Sequence, residues 1–144
     1  MTTQYEIAYA PIDTVHVRVA IVDRVGLVDG LARYLPRRWA TRHYDSLYAV
    51  GGFDLMVIGG ATGEMVGAAR VLHPDASIVA VIDTYAPVEP LIEVLQAGAD
   101  ACVRAGSPAV LAGHLLASHR RRQRAARVYR ARARLTPHQL PAAS

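Results

Sequence analysis

The chain has 144 residues, 52% of them hydrophobic, and a mean hydropathy of +0.17, a size and balance that suit one folded domain with its own core. No apolar run reaches the roughly 18 residues a membrane-spanning helix needs. Residues 1–10 lack the basic-then-apolar order of a signal peptide, and a single cysteine, Cys102, leaves no basis for a disulfide framework or a cysteine metal cluster.

In chain order, residues 17–23 are β-branched, mostly apolar and close on Asp23, the pattern of a buried parallel strand. Leu27, Val28, Leu31, Tyr34 and Leu35 recur at helical spacing, so a helix is expected there, stopped by Pro36. A weak strand signal surrounds residues 42–44. Gly51-Gly52 then precedes a second strand-like run, 53–58, which ends at Gly59-Gly60. A helix is predicted over 64–72, closed by His73-Pro74-Asp75, and a third buried strand over 77–82, closing on Asp83-Thr84. Val88, Leu91, Ile92 and Leu95 form an amphipathic stripe, compatible with Pro87 and Pro90 only if both sit in or before the first turn. A short strand is expected around 101–104. Ser107-Pro108 then reads as an N-cap and N1 pair, opening a helix that runs into the arginines. Alternating strands and helices imply an α/β fold, a doubly wound, mainly parallel sheet of flavodoxin-like (βα)5 topology. In such sheets functional residues gather beyond the carboxyl ends of the strands. Asp23-Arg24, Gly59-Gly60, Asp83-Thr84 and Arg104-Ala105 all fall there and are expected to form one site.

The stretch Ile21-Val22-Asp23-Arg24-Val25-Gly26-Leu27-Val28-Asp29-Gly30-Leu31 resembles the opening of receiver domains in NarL/LuxR-type or OmpR-type response regulators. Residues 53–58 resemble the strand that carries their phosphoacceptor, and Gln96-Ala97-Gly98-Ala99-Asp100-Ala101-Cys102-Val103 resembles the approach to their last strand. The likeness covers about residues 16–118. It implies a receiver-like domain there, an N-terminal extension over 1–15 and a basic linker over 119–144. Leu135-Thr136-Pro137-His138-Gln139-Leu140 is similar to the opening of the helix-turn-helix domains that follow such receivers, which implies DNA contact through a further C-terminal domain.

The resemblance also implies a chemistry, and this sequence departs from it. Family members hold Mg²⁺ with two acids, phosphorylate an aspartate, and bond the phosphoryl group through a hydroxyl and a lysine. Here the first acid is Asp23, but the second position is Arg24. The phosphoacceptor position falls on Gly59, the hydroxyl position on Asp83 beside Thr84, and the lysine position on Ala105 beside Arg104. Glycine offers no nucleophilic oxygen, and an arginine puts a fixed positive charge where a hard cation needs oxygen ligands. A degenerate phosphorylation pocket with no metal, no cofactor and no enzymatic activity is therefore expected. Arg24 is expected to replace the cation, pairing with Asp23 and Asp83 and drawing in Arg104. Gly59, Gly60, Ala61 and Gly63 leave a floor without side chains, a candidate seat for a small molecule. This chain is similar to atypical receivers of actinobacterial antibiotic-pathway regulators, which implies a pathway metabolite as effector.

His114 and His119 are badly spaced for a metal pair, and Ser46, Ser77, Ser107 and Ser118 lack a nucleophile-elbow context. Cys102 is expected to be a small core hydrophobe. The family's dimer face would fall on Leu91, Leu95, Val110, Leu111 and Leu115, which implies a homodimer. The net charge of +4 divides unevenly. Residues 1–119 hold eight arginines and all twelve acids, residues 120–144 the other eight arginines and no acid, and lysine is absent. Arg120, Arg121, Arg122, Arg124 and Arg127 are accordingly candidates for contact with nucleic-acid phosphates. The cytoplasm is the expected location. The reading is a phosphorylation-independent regulatory and dimerisation domain. The alternatives are a stand-alone nucleic-acid-binding protein using the arginine tail, or a flavodoxin-like binder of a small ligand or nucleotide.

Overall fold

The computed structural model describes residues 17–135, and within them the apolar runs form five parallel strands. They are β1 (Val17–Asp23), β2 (Trp39–Tyr44), β3 (Leu55–Gly59), β4 (Ser77–Ile82) and β5 (Ala101–Arg104), in the order β2-β1-β3-β4-β5. β3 and β4 are buried along their whole length, as continuous apolar strands covered on both faces must be. Alternation then divides the core. Val19, Ile21, Val57 and Val79 face one layer with Leu31, Leu111 and Leu115, whereas Ala20, Met56, Ile58 and Ile78 face the other with Val66 and Val94. The expected flavodoxin-like topology is present.

Three α-helices cover the sheet: α1 (Gly63–Leu72), α2 (Val88–Ala97) and α3 (Pro108–Ala133). Thr62 caps α1, its Oγ1 accepting from the Met65 N–H at 3.2 Å. Pro87 is the N-cap of α2 and Pro90 lies in its first turn, where a missing N–H costs nothing. Ser107 and Pro108 open α3 as expected, although the serine makes no side-chain cap bond. The helix anticipated over 27–35 is different. Gly26 and Gly30 take φ of 77° and 82°, a left-handed backbone that breaks an α-helix, and only a 3-10 turn, Leu31–Tyr34, remains. It still delivers Val28, Leu31 and Leu35 to the core.

α3 runs unbroken across the boundary expected at 118/119. Its first half is anchored by Leu111, Ala112 and Leu115, and from Arg120 onward every described residue except the half-buried Arg122 is exposed. The last anchor is polar: the hydroxyls of Ser77 and Ser118, both buried, lie 2.6 Å apart. Ser118→Ala strands the Ser77 hydroxyl and should cost about 1–3 kcal/mol, whereas the double replacement by alanine should be nearly neutral. Chemical denaturation of the three variants checks this.

Arg70 ties the lower ends of the elements together. Its Nη1 donates to the carbonyls of Pro74 (3.0 Å) and Ala76 (2.6 Å), its Nη2 to that of Gly98 (2.7 Å), and Nη2 also pairs with Asp100 at 3.0 Å. The same Asp100 carboxylate oxygen accepts from the Ile78 N–H at 2.7 Å. Gly98, at φ of 123°, ends α2 directly beneath the Arg70 side chain.

Candidate functional site

Strand register assembles the expected site. Asp23 pairs with Gly59, Gly59 with Val81, and Ile82 with Arg104, so the four sequence segments meet along the carboxyl rim of the sheet. Their side chains do something other than expected.

Asp23 turns back over its own loop. Its Oδ2 accepts from the Val28 N–H at 2.9 Å and its Oδ1 from the Val25 N–H at 3.3 Å. This places the carboxylate against the neighbouring strand, in the volume a side chain at residue 59 would need. A Cβ built on Gly59 would lie 2.3 Å from Asp23 Oδ1 and 2.5 Å from its Cγ. Glycine at 59 is thus a packing requirement of this rim.

The rim's other polar groups are also satisfied locally. Asp83 Oδ1 accepts from the Tyr85 N–H at 3.1 Å. Thr84 Oγ1 donates to the Ala105 carbonyl at 2.7 Å, and the Arg104 guanidinium donates to the Ala86 carbonyl, so two side chains clasp the loops after β4 and β5. Arg24 is exposed, and the two ion pairs among the described residues, Arg18–Asp54 and Arg70–Asp100, involve none of Asp23, Arg24, Asp83 or Arg104. The expected Asp23–Arg24–Asp83 cluster does not form, because each acid finds backbone N–H donors within its own turn, nearer than any guanidinium.

These donors do not fit a divalent cation. Asp23 is engaged with two N–H groups, residue 24 contributes positive charge and residue 59 contributes no side-chain oxygen. Among the described residues no three His, Cys, Asp or Glu side chains gather to hold a metal.

The bare floor expected over Gly59, Gly60, Ala61 and Gly63 is filled. Asp23 lies over Gly59, Val25 comes within 3.1 Å of a Cβ built on Gly60, and Glu93 of α2 within 2.7 Å of one built on Gly63. Ala61 is buried, and its N–H and that of Gly60 both point to the Val81 carbonyl. Small residues here admit neighbouring side chains. Cys102 is half-buried among apolar groups, and burial pushes its thiol up while Arg104 draws it down.

Of the expected dimer face, Leu111 and Leu115 are core residues, 5% and 0% exposed, held against the sheet by the inward side of α3. Leu95 and Val110 are exposed and Leu91 half-buried. Val88 and Ile92, part of the expected amphipathic stripe but not of the expected dimer face, complete an outward stripe on α2 at i, i+4 and i+7 with Leu95. Of the tail arginines, Arg120, Arg121, Arg124 and Arg127 are exposed and Arg122 is half-buried. The segment resembling a helix-turn-helix opening lies, apart from Leu135, outside the described residues, as does the 1–15 extension. No described helix is long and apolar enough to cross a membrane.

No protein-family model matches the sequence, and no curated protein is similar to it in sequence. Solved structures are similar in fold. A CheY-like response regulator receiver domain protein from Methanospirillum hungatei JF-1 is 20% identical with a TM-score of 0.63, over 75% of this chain and 97% of that one. NtrX from Brucella abortus is 14% identical with a TM-score of 0.69, over 89% of this chain and 31% of that one. The response regulator DrrB of Thermotoga maritima, an OmpR/PhoB homolog, is 15% identical with a TM-score of 0.58, over 69% of this chain and 50% of that one. At such identities the likeness is one of architecture, and it agrees with strand order, register and the position of the rim: this chain has the fold of response-regulator receiver domains.

Proposed function

We propose that this chain is a regulatory module of receiver type that switches without phosphorylation, acts as a homodimer and governs a DNA-binding output. One observation carries the first part. The position that by resemblance corresponds to the phosphoacceptor is Gly59, and the space a side chain there would take is filled by the carboxylate of Asp23. Phosphoryl transfer needs an oxygen nucleophile, a neutralising cation and exact placement of both. This rim supplies no nucleophile at 59, and its one retained acid is committed to the loop.

The homodimer reading rests on the outward apolar stripe. Val88, Ile92, Leu95 and Val110 are between 40% and 57% exposed, and α2 and α3 flank β5, an edge strand of the sheet. Apolar side chains grouped beside a strand edge favour association. A further output domain is supported by DrrB and NtrX, in which the matched fold is part of a longer chain, and a DNA-binding one by the resemblance of residues 135–140 to the opening of helix-turn-helix domains. Control by a pathway metabolite would need Asp23 or Glu93 to swing away from the glycines they cover.

The test joins two measurements on the purified chain. Labelled acetyl phosphate with Mg²⁺ should leave no acyl phosphate, and sedimentation should show a dimer without any phosphodonor. Ile92→Glu with Leu95→Glu should give a monomer of unchanged melting temperature. A labelled aspartate at the rim, or a monomer at high concentration of the intact chain, would defeat the proposal.

A further inference from the structure

At the end of the sheet opposite the rim, the segment entering β2 and the middle of α3 face each other across a groove of about 510 Å³. Arg37 and Arg38 line one wall and Arg120 the other, with Trp39 and His119 at the base. The two rings meet edge-on, centroids 5.2 Å apart at 77°. Burial lowers the pKa of His119, against an opposing pull from Asp54. Among the described residues no acid lines this groove.

The wall made by α3 continues past the groove. Leu116, His119, Arg120 and Gln123 line it, and at about 100° per residue the same side of the helix carries Arg127, Arg130 and Arg134. Those three are exposed, and the two ion pairs among the described residues leave out every arginine of α3. Arg120, Arg127 and Arg134 are seven residues apart, a step of about 10 Å along a rigid helix. Arg121 and Arg132 point to the other side.

We propose that this groove and the arginine stripe continuing from it bind the phosphodiester backbone of duplex DNA. The chemistry favours phosphate over a single small anion or an acidic protein. The positive groups are all guanidinium forks, which match phosphate oxygens in pairs. They are strung along a straight element at regular intervals, which suits a polymer carrying one charge about every 1.7 Å of its axis. Apart from Arg37 and Arg38, the described residues 17–119 hold ten acids and six arginines, a balance that repels such a polymer elsewhere on the body and steers it to this stripe. The contact is independent of the rim, so it stands or falls apart from the loss of phosphorylation.

Two variants of the full chain that remove equal charge separate a defined face from diffuse tail electrostatics: Arg37→Ala with Arg127→Ala, and Arg121→Ala with Arg132→Ala. Anisotropy with a labelled duplex of mixed sequence is read from about 50 to 200 mM salt. The intact chain should bind with a steep salt dependence, and the groove-face pair should weaken binding about tenfold or more and reduce the salt slope by about 2. The opposite-face pair should weaken it by less than about threefold. The proposal is overturned if the two pairs behave alike, if the intact chain does not bind at the lowest salt, or if polyglutamate displaces the chain as readily as DNA does, which would point to an acidic protein partner.

Discussion

Gly59→Asp, which puts a carboxylate at the position proposed to correspond to the phosphoacceptor, should destabilise the fold by about 2–4 kcal/mol and should not create a phosphorylation site. The new side chain needs the volume held by the Asp23 carboxylate, whose oxygen would lie 2.3 Å from the added Cβ. Asp23 must then leave, and the N–H groups of Val25 and Val28 lose a charged acceptor; the part-buried Val28 bond is worth about 1.5–3 kcal/mol and the longer, exposed Val25 bond less. Displacement and a second negative charge at the same rim act in the same direction. Asp23→Ala alone also loses the two bonds, so the decisive quantity is the coupling. In the Asp23→Ala background, Gly59→Asp should cost less than about 1 kcal/mol, a difference that urea denaturation of the four proteins resolves. Equal cost in both backgrounds would show that Asp23 does not fill the site in solution.

Arg70→Ala should be about as damaging, near 3 kcal/mol, although it touches nothing at the rim. The Arg70 side chain is three-quarters buried, and its guanidinium joins the carbonyls of Pro74, Ala76 and Gly98 to the Asp100 carboxylate. Its removal strands three carbonyls and one acid together, and charged hydrogen bonds carry the larger values. Asp100 would keep only the Ile78 N–H. Arg70→Lys should recover less than half of the loss, because an ammonium group cannot reach carbonyls on several sides as the planar fork does. Thermal and urea unfolding check both variants.

Much of the architecture was legible in the sequence. β1, β4 and β5 fall at the expected residues because β-branched runs between turns leave little choice of period. Pro87 and Pro90 mark the start of α2 for the reason anticipated, their missing donors lying where a helix has none to satisfy. The segment after β1 was misread. Its apolar spacing is helical, but Gly26 and Gly30 take a left-handed backbone, and spacing alone does not report φ. The site was legible in its location and only partly in its geometry. Register brings Asp23, Gly59 and Arg104 together as parallel strands require. Which oxygen meets which N–H depends on loop turns a few residues long, so the anticipated carboxylate–arginine cluster gave way to local turn bonds. Leu111 and Leu115 were chosen as surface residues, yet α3 turns them inward, and the outward stripe includes Val88 and Ile92. Arg70, Arg37 and Arg38 gave no signal in sequence, since Gly98 and Asp100 come near Arg70, and α3 comes near Arg37 and Arg38, only through the fold.

The unbroken course of α3 has a mechanical consequence. From Ser118 to Ala133 the helix extends about 22 Å beyond its buried anchor with no glycine or proline to act as a joint. A lever of that length converts a tilt of about 10° at Leu115 into a sweep of about 4 Å at its tip. Sub-ångström repacking beneath Leu111 and Leu115 therefore leaves the domain as a displacement large enough to engage or release a contact.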